Sequence, residues 1–356
     1  MSGGLQVIPA PESGVLVIHL LGRCNLHCQH CYTDSTPWRE TSLPIDVVLR
    51  SLDDAKYLGV RTVHLTGGEP FLYADLPAVL SYAAEARPFH LAVSTNGTLV
   101  GRAEANRLKA SHTAAQVSID GDEAYHDSFR GLAGAFRAAT KGIQELVAAG
   151  VPVTVVATIC QNNLASVPWL AGWAADLGAE CLSVQPLQHV GRGAKIAQKQ
   201  LSQQQICELF MQVSDLGHAY RPRGFRFQLA YRSRSHMQEH PCSAYVCNGA
   251  RCHRGVTKEI KTLVVKEDGT VLPEVATLNP RFALGNAREA PLHELVKRYF
   301  ASGYEDFRGL CQAVYSDVIC SSDSPIVPWD EILSERSWTY SAHRTPAFDP
   351  VFAIVR

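Results

Sequence analysis

Cys24, Cys28 and Cys31 stand in a CxxxCxxC array directly after the apolar run 15–21 and directly before Tyr32. Thiols this close together make a metal site, and their number defines its chemistry. An iron–sulfur cube has four irons and a closed electron-transfer cluster takes a cysteine at each, so three cysteines leave one iron open to a ligand from outside the protein. The competing reading is a zinc knuckle that adds His27 or His30 to the same cysteines, because imidazole and thiolate both suit zinc. The chain has 11 cysteines, and its start, Met1-Ser2-Gly3-Gly4-Leu5, has neither a basic nor an apolar signal region. That combination points to thiolate ligands rather than disulfides.

Loops of this kind need elements behind them. Strand patterns cover 15–21, 62–65, 91–94, 115–119, 153–159 and 181–186. Between them, sets such as Val48, Leu52 and Ala55, or Ala139, Ile143 and Leu146, recur at three and four residues and give helices one apolar face. Six strand–helix units predict an α/β fold with a parallel sheet and right-handed crossovers. Periodicity alone leaves both a barrel and an open doubly wound sheet possible. In either, functional groups collect at the carboxyl ends of strands. The first end is the cysteine loop, and the next three are Thr66-Gly67-Gly68-Glu69-Pro70, Ser94-Thr95-Asn96-Gly97 and Ser118-Ile119-Asp120-Gly121; the sixth runs from Pro186 to Gly191-Arg192-Gly193. Any one of these is equally a plain turn. The 356 residues fit one large α/β unit and a smaller appendage. A net charge of -1 and a pI near 6.9 give no electrostatic case for nucleic acid or an anionic membrane. No apolar run approaches the ~20 residues that cross a bilayer. A cytoplasmic protein without nucleic-acid or membrane partners is expected.

The cysteine array and the motifs at these strand ends, in this order, resemble the radical S-adenosylmethionine (radical SAM) enzymes. The resemblance covers roughly residues 14–193. It implies a partial (β/α)6 TIM-like barrel over 14–220 whose 4Fe-4S cluster is held by Cys24, Cys28 and Cys31. The methionine end of S-adenosyl-L-methionine would chelate the open iron. An electron from a flavodoxin or ferredoxin-type donor would cleave the sulfonium, and the 5'-deoxyadenosyl radical would remove a substrate hydrogen. Tyr32 is the family's trailing aromatic. Gly67 and Gly68 would let the ligand approach the backbone and Glu69 would accept from its ammonium. Ser94, Asn96, Ser118 and Asp120 would meet ribose hydroxyls or the carboxylate, Arg130 would pair with that carboxylate, and Pro186 with the glycines after it would edge the adenine. Arg130 also reads as part of a helix-start network with Asp127 and Ser128, and His126 reads as structural.

The segment 118–131 is similar to the SxDGxxxxHDxxRG signature of the peptide-maturase branch, which carries a cluster-bearing SPASM extension. Residues 221–356 resemble that α+β extension in degenerate or twitch form. Asp268-Gly269 suits its hairpin turn and Leu284-Gly285-Asn286 its GN turn, but Glu274 stands where a cluster cysteine belongs. Cys242, Cys247 and Cys252, with Cys311 or Cys320, could hold one auxiliary cluster. Equally, these are buried small hydrophobes, or Cys247 or Cys252 donates a hydrogen atom to a substrate radical. The arginines at 221, 223, 226, 232 and 234 are either solvated or meet acidic groups. The function implied is crosslinking or epimerisation of a ribosomally made peptide. The alternatives are dehydrogenation or epimerisation of a small molecule such as an aminosugar or tetrapyrrole precursor, and a cluster-bearing scaffold without turnover.

Overall fold

The computed structural model describes residues 5–7, 14–85, 89–246, 260–320 and 324–341. Six parallel strands form its centre in sequence order: β2 (Val15–His19), β3 (Thr62–Thr66), β4 (His90–Thr95), β5 (Ala114–Ser118), β6 (Val153–Ile159) and β7 (Cys181–Pro186). The first is shorter than the apolar run predicts. Leu21 leaves the strand direction to bridge Ser42, which turns the chain into the cysteine loop.

Alternation along these strands explains the architecture. Leu16, Ile18, Val63, Leu65, Val93, Val117, Val155, Leu182 and Val184 are buried on the helix-covered face. The intervening positions are largely polar: His64, Ser94, Gln116, Ser118, Thr158, Ser183 and Gln185 line the concave face. A parallel sheet is usually apolar on both faces. Here one face is largely polar and lines a cavity. Register fixes the division, because a one-residue slip would exchange the faces, and pairs such as Leu16↔Val63 and Leu65↔Val93 hold it.

The sheet does not stop at residue 220. β8 (Arg226–Leu229) pairs parallel with β7, and β1 (Leu5–Val7) pairs parallel with β8. The short β9 (Arg232–Ser233) pairs instead with β13 (Ile326–Val327). At the other edge β10 (Thr262–Val265) lies parallel to β2, then β11 (Thr270–Pro273) and β12 (Gly285–Asn286) follow antiparallel. The 11-stranded sheet therefore extends into the region expected to be a separate extension, and one apolar core runs through both. Asp268-Gly269 forms the hairpin turn as expected, with Gly269 at φ +88°. Helices Leu292–Ser302, Tyr304–Val318 and Trp329–Thr339 complete the C-terminal region. Arg223 and Arg226 make exposed pairs with Asp176 and Glu180, whereas Arg232 turns inward to Glu274 and Asp330. Among the described residues no helix is long and apolar enough to cross a membrane.

Candidate functional site

Cys24 and Cys28 are 8% and 7% exposed, and Cys31 is half-buried. Each sulfur has an N–H directed at it. Leu26 N lies 3.4 Å from Cys24 Sγ, Ser35 N 3.4 Å from Cys31 Sγ, and Arg130 Nη1 3.9 Å from Cys28 Sγ. Burial pushes the Cys24 thiol up to about 12, and burial likewise raises Cys28. A bound metal would have to displace these protons, as coordinating thiols require. Among the described residues no three His, Cys, Asp or Glu side chains gather tightly enough for one metal ion. A cube takes each thiolate at a different iron, so the donor set fits a cluster. His30 stacks on Phe129 at 4.1 Å.

Two glycine segments pin the cysteine loop. Gly68 N donates to Leu21 O at 2.7 Å and Glu69 N to Arg23 O at 2.9 Å. A Cβ at Gly68 would run into the Arg23 carbonyl, and Gly67 sits at φ +126° against Leu21 O. These glycines therefore admit another stretch of backbone as well as lining the cavity. Gly68→Ala is expected to displace the loop and cost about 1–3 kcal/mol, in the range of overpacking a filled site, read as a lowered urea midpoint with reduced iron uptake.

From the far side, Arg192 N donates to Cys31 O at 2.9 Å and its Nε to Cys28 O at 2.7 Å, while Nη1 pairs with Asp34 at 3.0 Å. Gly191, at φ +57°, leaves room for the Cys31 and Tyr32 carbonyls. Sequence reasoning gave this segment's backbone to adenine and assigned the Arg192 side chain no role. The signal was present as a charged residue between two glycines at a strand end.

The cavity these loops enclose measures about 540 Å³. Tyr32, Gly67, Gly68, Ser94, Asn96, Ser118 and Arg130 line it together with the three cysteines. Glu69 and Asp120 are fully buried behind the lining instead. Glu69 accepts from Thr95 Oγ1 at 2.7 Å, Asn96 N at 2.8 Å and Phe71 N at 3.2 Å, which ties the β3 and β4 ends together. Burial pushes its carboxyl up to about 7 against those donors. Asp120 accepts from Arg130 Nε at 2.6 Å and Thr158 N at 2.9 Å. Burial works to raise its carboxyl, but Arg130, helped by His30 and His126, holds it at about 2. Asp120 thus orients Arg130, which lines the cavity. His126 Nδ1 accepts from Asp120 N at 3.2 Å, a structural role. Pro186 lines an adjoining chamber with Tyr32.

In the C-terminal region Glu274, at φ +64°, bonds to Arg232 and to the Tyr245 hydroxyl, and Arg232 also reaches Asp330 at 2.8 Å. An ion-pair network stands where a cluster cysteine was expected. Cys242 is half-buried in the turn Pro241–Ala244, Cys311 is fully buried among the helices and Cys320 is exposed. Cys247 and Cys252 lie outside the described residues.

Residues 18–163 match the model of the Radical SAM superfamily. Among curated relatives, the Fe-coproporphyrin III synthase of Methanosarcina barkeri is 28% identical over 293 residues, 79% of this chain and 73% of that protein. The antilisterial bacteriocin subtilosin biosynthesis protein AlbA of Bacillus subtilis is 32% identical over 198 residues, and the match covers 55% of this chain and 44% of AlbA. The pre-heme d1 synthase of Dinoroseobacter shibae is 35% identical over 186 residues, 51% of this chain and 45% of that protein. The chain thus spans less than half the length of the last two. Among solved structures, Streptococcus suis SuiB bound to S-adenosylmethionine superposes with a TM-score of 0.66 at 20% identity, covering 83% of this chain and 68% of SuiB. Native anSMEcpe with bound AdoMet gives 0.63 at 14% identity, covering 91% and 95%. These two share the fold.

Proposed function

We propose that this chain, whose residues 18–163 match the Radical SAM superfamily, is an enzyme of that type that cleaves S-adenosylmethionine reductively and modifies a ribosomally made peptide by crosslinking or epimerisation. The observation that carries the cofactor chemistry is the rim of the cavity: three thiols, each met by an N–H, open onto a space of about 540 Å³ lined by polar strand ends. That volume suits a nucleoside-sized ligand. Cluster and cosubstrate together supply hydrogen-atom abstraction; the protein binds, orients and excludes water. In this reading Cys24, Cys28 and Cys31 hold the cluster. Asp120 and the Cys28 sulfur fix Arg130 so that its Nη2 can take the cosubstrate carboxylate. Ser94, Asn96 and Ser118 offer hydroxyl and amide groups to the ribose.

The peptide substrate is supported by the 118–131 signature and by the relative that makes subtilosin. The small-molecule reading is favoured by a different observation: a relative matched over 79% of this chain is named Fe-coproporphyrin III synthase. A flavodoxin or ferredoxin-type protein would deliver the electron. The test is release of 5'-deoxyadenosine by the reconstituted protein under dithionite; its absence with a full cluster would overturn the reading.

Iron counting addresses the extension. With Glu274 ion-paired at the expected cysteine position, about four irons per chain are expected, or about eight if Cys242, Cys247 and Cys252 anchor an auxiliary cube, since a cube takes four ligands. A content near twelve would contradict the loss of that position. Replacing those three cysteines together by alanine separates the cases: loss of about four irons identifies a cube, whereas unchanged iron with lost product and continued 5'-deoxyadenosine release identifies a hydrogen-donating thiol.

A further inference from the structure

We propose that the chamber between the barrel mouth and helix Trp329–Thr339 is the substrate subsite and that it receives a positively charged group, an ammonium or guanidinium. The proposal rests on the radical SAM reading, which puts the cofactor in the adjoining cavity. The chamber holds about 240 Å³ and shares His30, Tyr32 and Gln185 with that cavity. Four carboxylates line it, those of Glu274, Asp330, Glu331 and Glu335, and among the described residues no Lys or Arg side chain does. Arg232 is already bonded to Glu274 and Asp330. One guanidinium against two carboxylates leaves that group negative before the others are counted. Burial, with Glu335 beside it, pushes the Glu331 carboxyl up to about 7, and burial raises Asp330 as well, so a bound cation would complete their ionisation.

His19 supplies an independent observation. It is 1% exposed at the end of β2, lines the same chamber, and among the described residues neither ring nitrogen has a hydrogen-bond partner, Glu267 Oε2 standing 3.8 Å from Nδ1. Buried polar groups are almost always satisfied. Burial, with Lys266 and Arg39 nearby, holds His19 down to about 4, so at neutral pH it presents one donor and one acceptor. A bound polar group would complete it.

The chamber's charge separates the two substrate readings. A coproporphyrin carries several propionates, which would meet four carboxylates of like sign. The side chain of a lysine or arginine in a peptide brings the opposite charge, as does the amine of an aminosugar.

Equilibrium binding to the cluster-reconstituted protein without reductant tests this. The probes are capped Ala-Ala-Lys-Ala-Ala, the same peptide with Glu for Lys, glucosamine, and iron coproporphyrin III. The lysine peptide is expected to bind about tenfold tighter than the glutamate peptide, with an advantage that shrinks as salt is added. Glu335→Gln, on the exposed side of its helix, and Asp330→Asn should each weaken the lysine peptide about threefold or more with unchanged iron content. Binding of glucosamine alone keeps the cationic assignment and moves its source to a small amine. Binding of both peptides with equal affinity, tighter binding of iron coproporphyrin III, or no binding by either amine overturns the proposal. Because no turnover is needed, this result is distinct from success or failure of 5'-deoxyadenosine release.

Discussion

Cys28→Ala is expected to yield a folded protein that takes up no iron at its cysteine loop and releases 5'-deoxyadenosine only at background level. Two thiolates cannot hold a cube with one iron free for a ligand. The loop should persist, because Arg192 Nε grips the Cys28 carbonyl rather than its side chain. Iron analysis, circular dichroism and chromatography of the nucleoside products check the three parts together. Some retained iron is compatible with an auxiliary cluster at Cys242, Cys247 and Cys252. Retained 5'-deoxyadenosine would remove Cys28 from the site.

The second large effect is expected at Asp120. Asp120→Ala leaves the Arg130 guanidinium buried without its carboxylate and deprives Thr158 N of its acceptor. Breaking a buried pair from one side costs about 3–5 kcal/mol, to be read as a fall in the urea midpoint at unchanged m-value. Affinity for S-adenosylmethionine should fall with it, since Arg130 loses its orientation. A pH signature accompanies the pair. The Asp120 carboxyl is held at about 2 in the fold against an ordinary 3.8. Its contribution is therefore complete above pH 3.8 and lost as pH falls through 2. Asp120→Asn should lack that acid limb while wild type shows it. Matching acid profiles would mean that Arg130 is held by other groups.

The six central strands were legible because their outward residues alternate with polar ones over five to seven positions, and because distinctive residues mark their ends. The edges were not. Phe225, Phe227 and Leu229 announce a strand with one apolar face, yet whether it closes its own small domain or lengthens the barrel sheet depends on which neighbour offers a free edge. That is a tertiary choice with no local signature. Site residues divide the same way. Ser94, Asn96, Ser118 and Arg130 face the cavity as their places at strand ends imply. Glu69 and Asp120 occupy the same kind of place, but their carboxylates turn inward to backbone N–H groups of neighbouring strands. A strand-end acid can point either way, and only the positions of those donors decide. Glu274 was legible as a missing cysteine; its partners Arg232 and Tyr245, 42 and 29 residues away in the chain, were not.

The clamp on the cysteine loop has a consequence for how the enzyme is made. Cys28 precedes Arg192 by 164 residues in the chain, yet the grip on Cys28 and Cys31 comes from Arg192, and the strand that delivers Arg192 stands at the opposite side of the six-strand array. A nascent chain shorter than that carries three thiols with no fixed geometry between them. A cluster on these cysteines would accordingly be inserted late, into a nearly complete barrel, because only then are the three thiols held in one geometry.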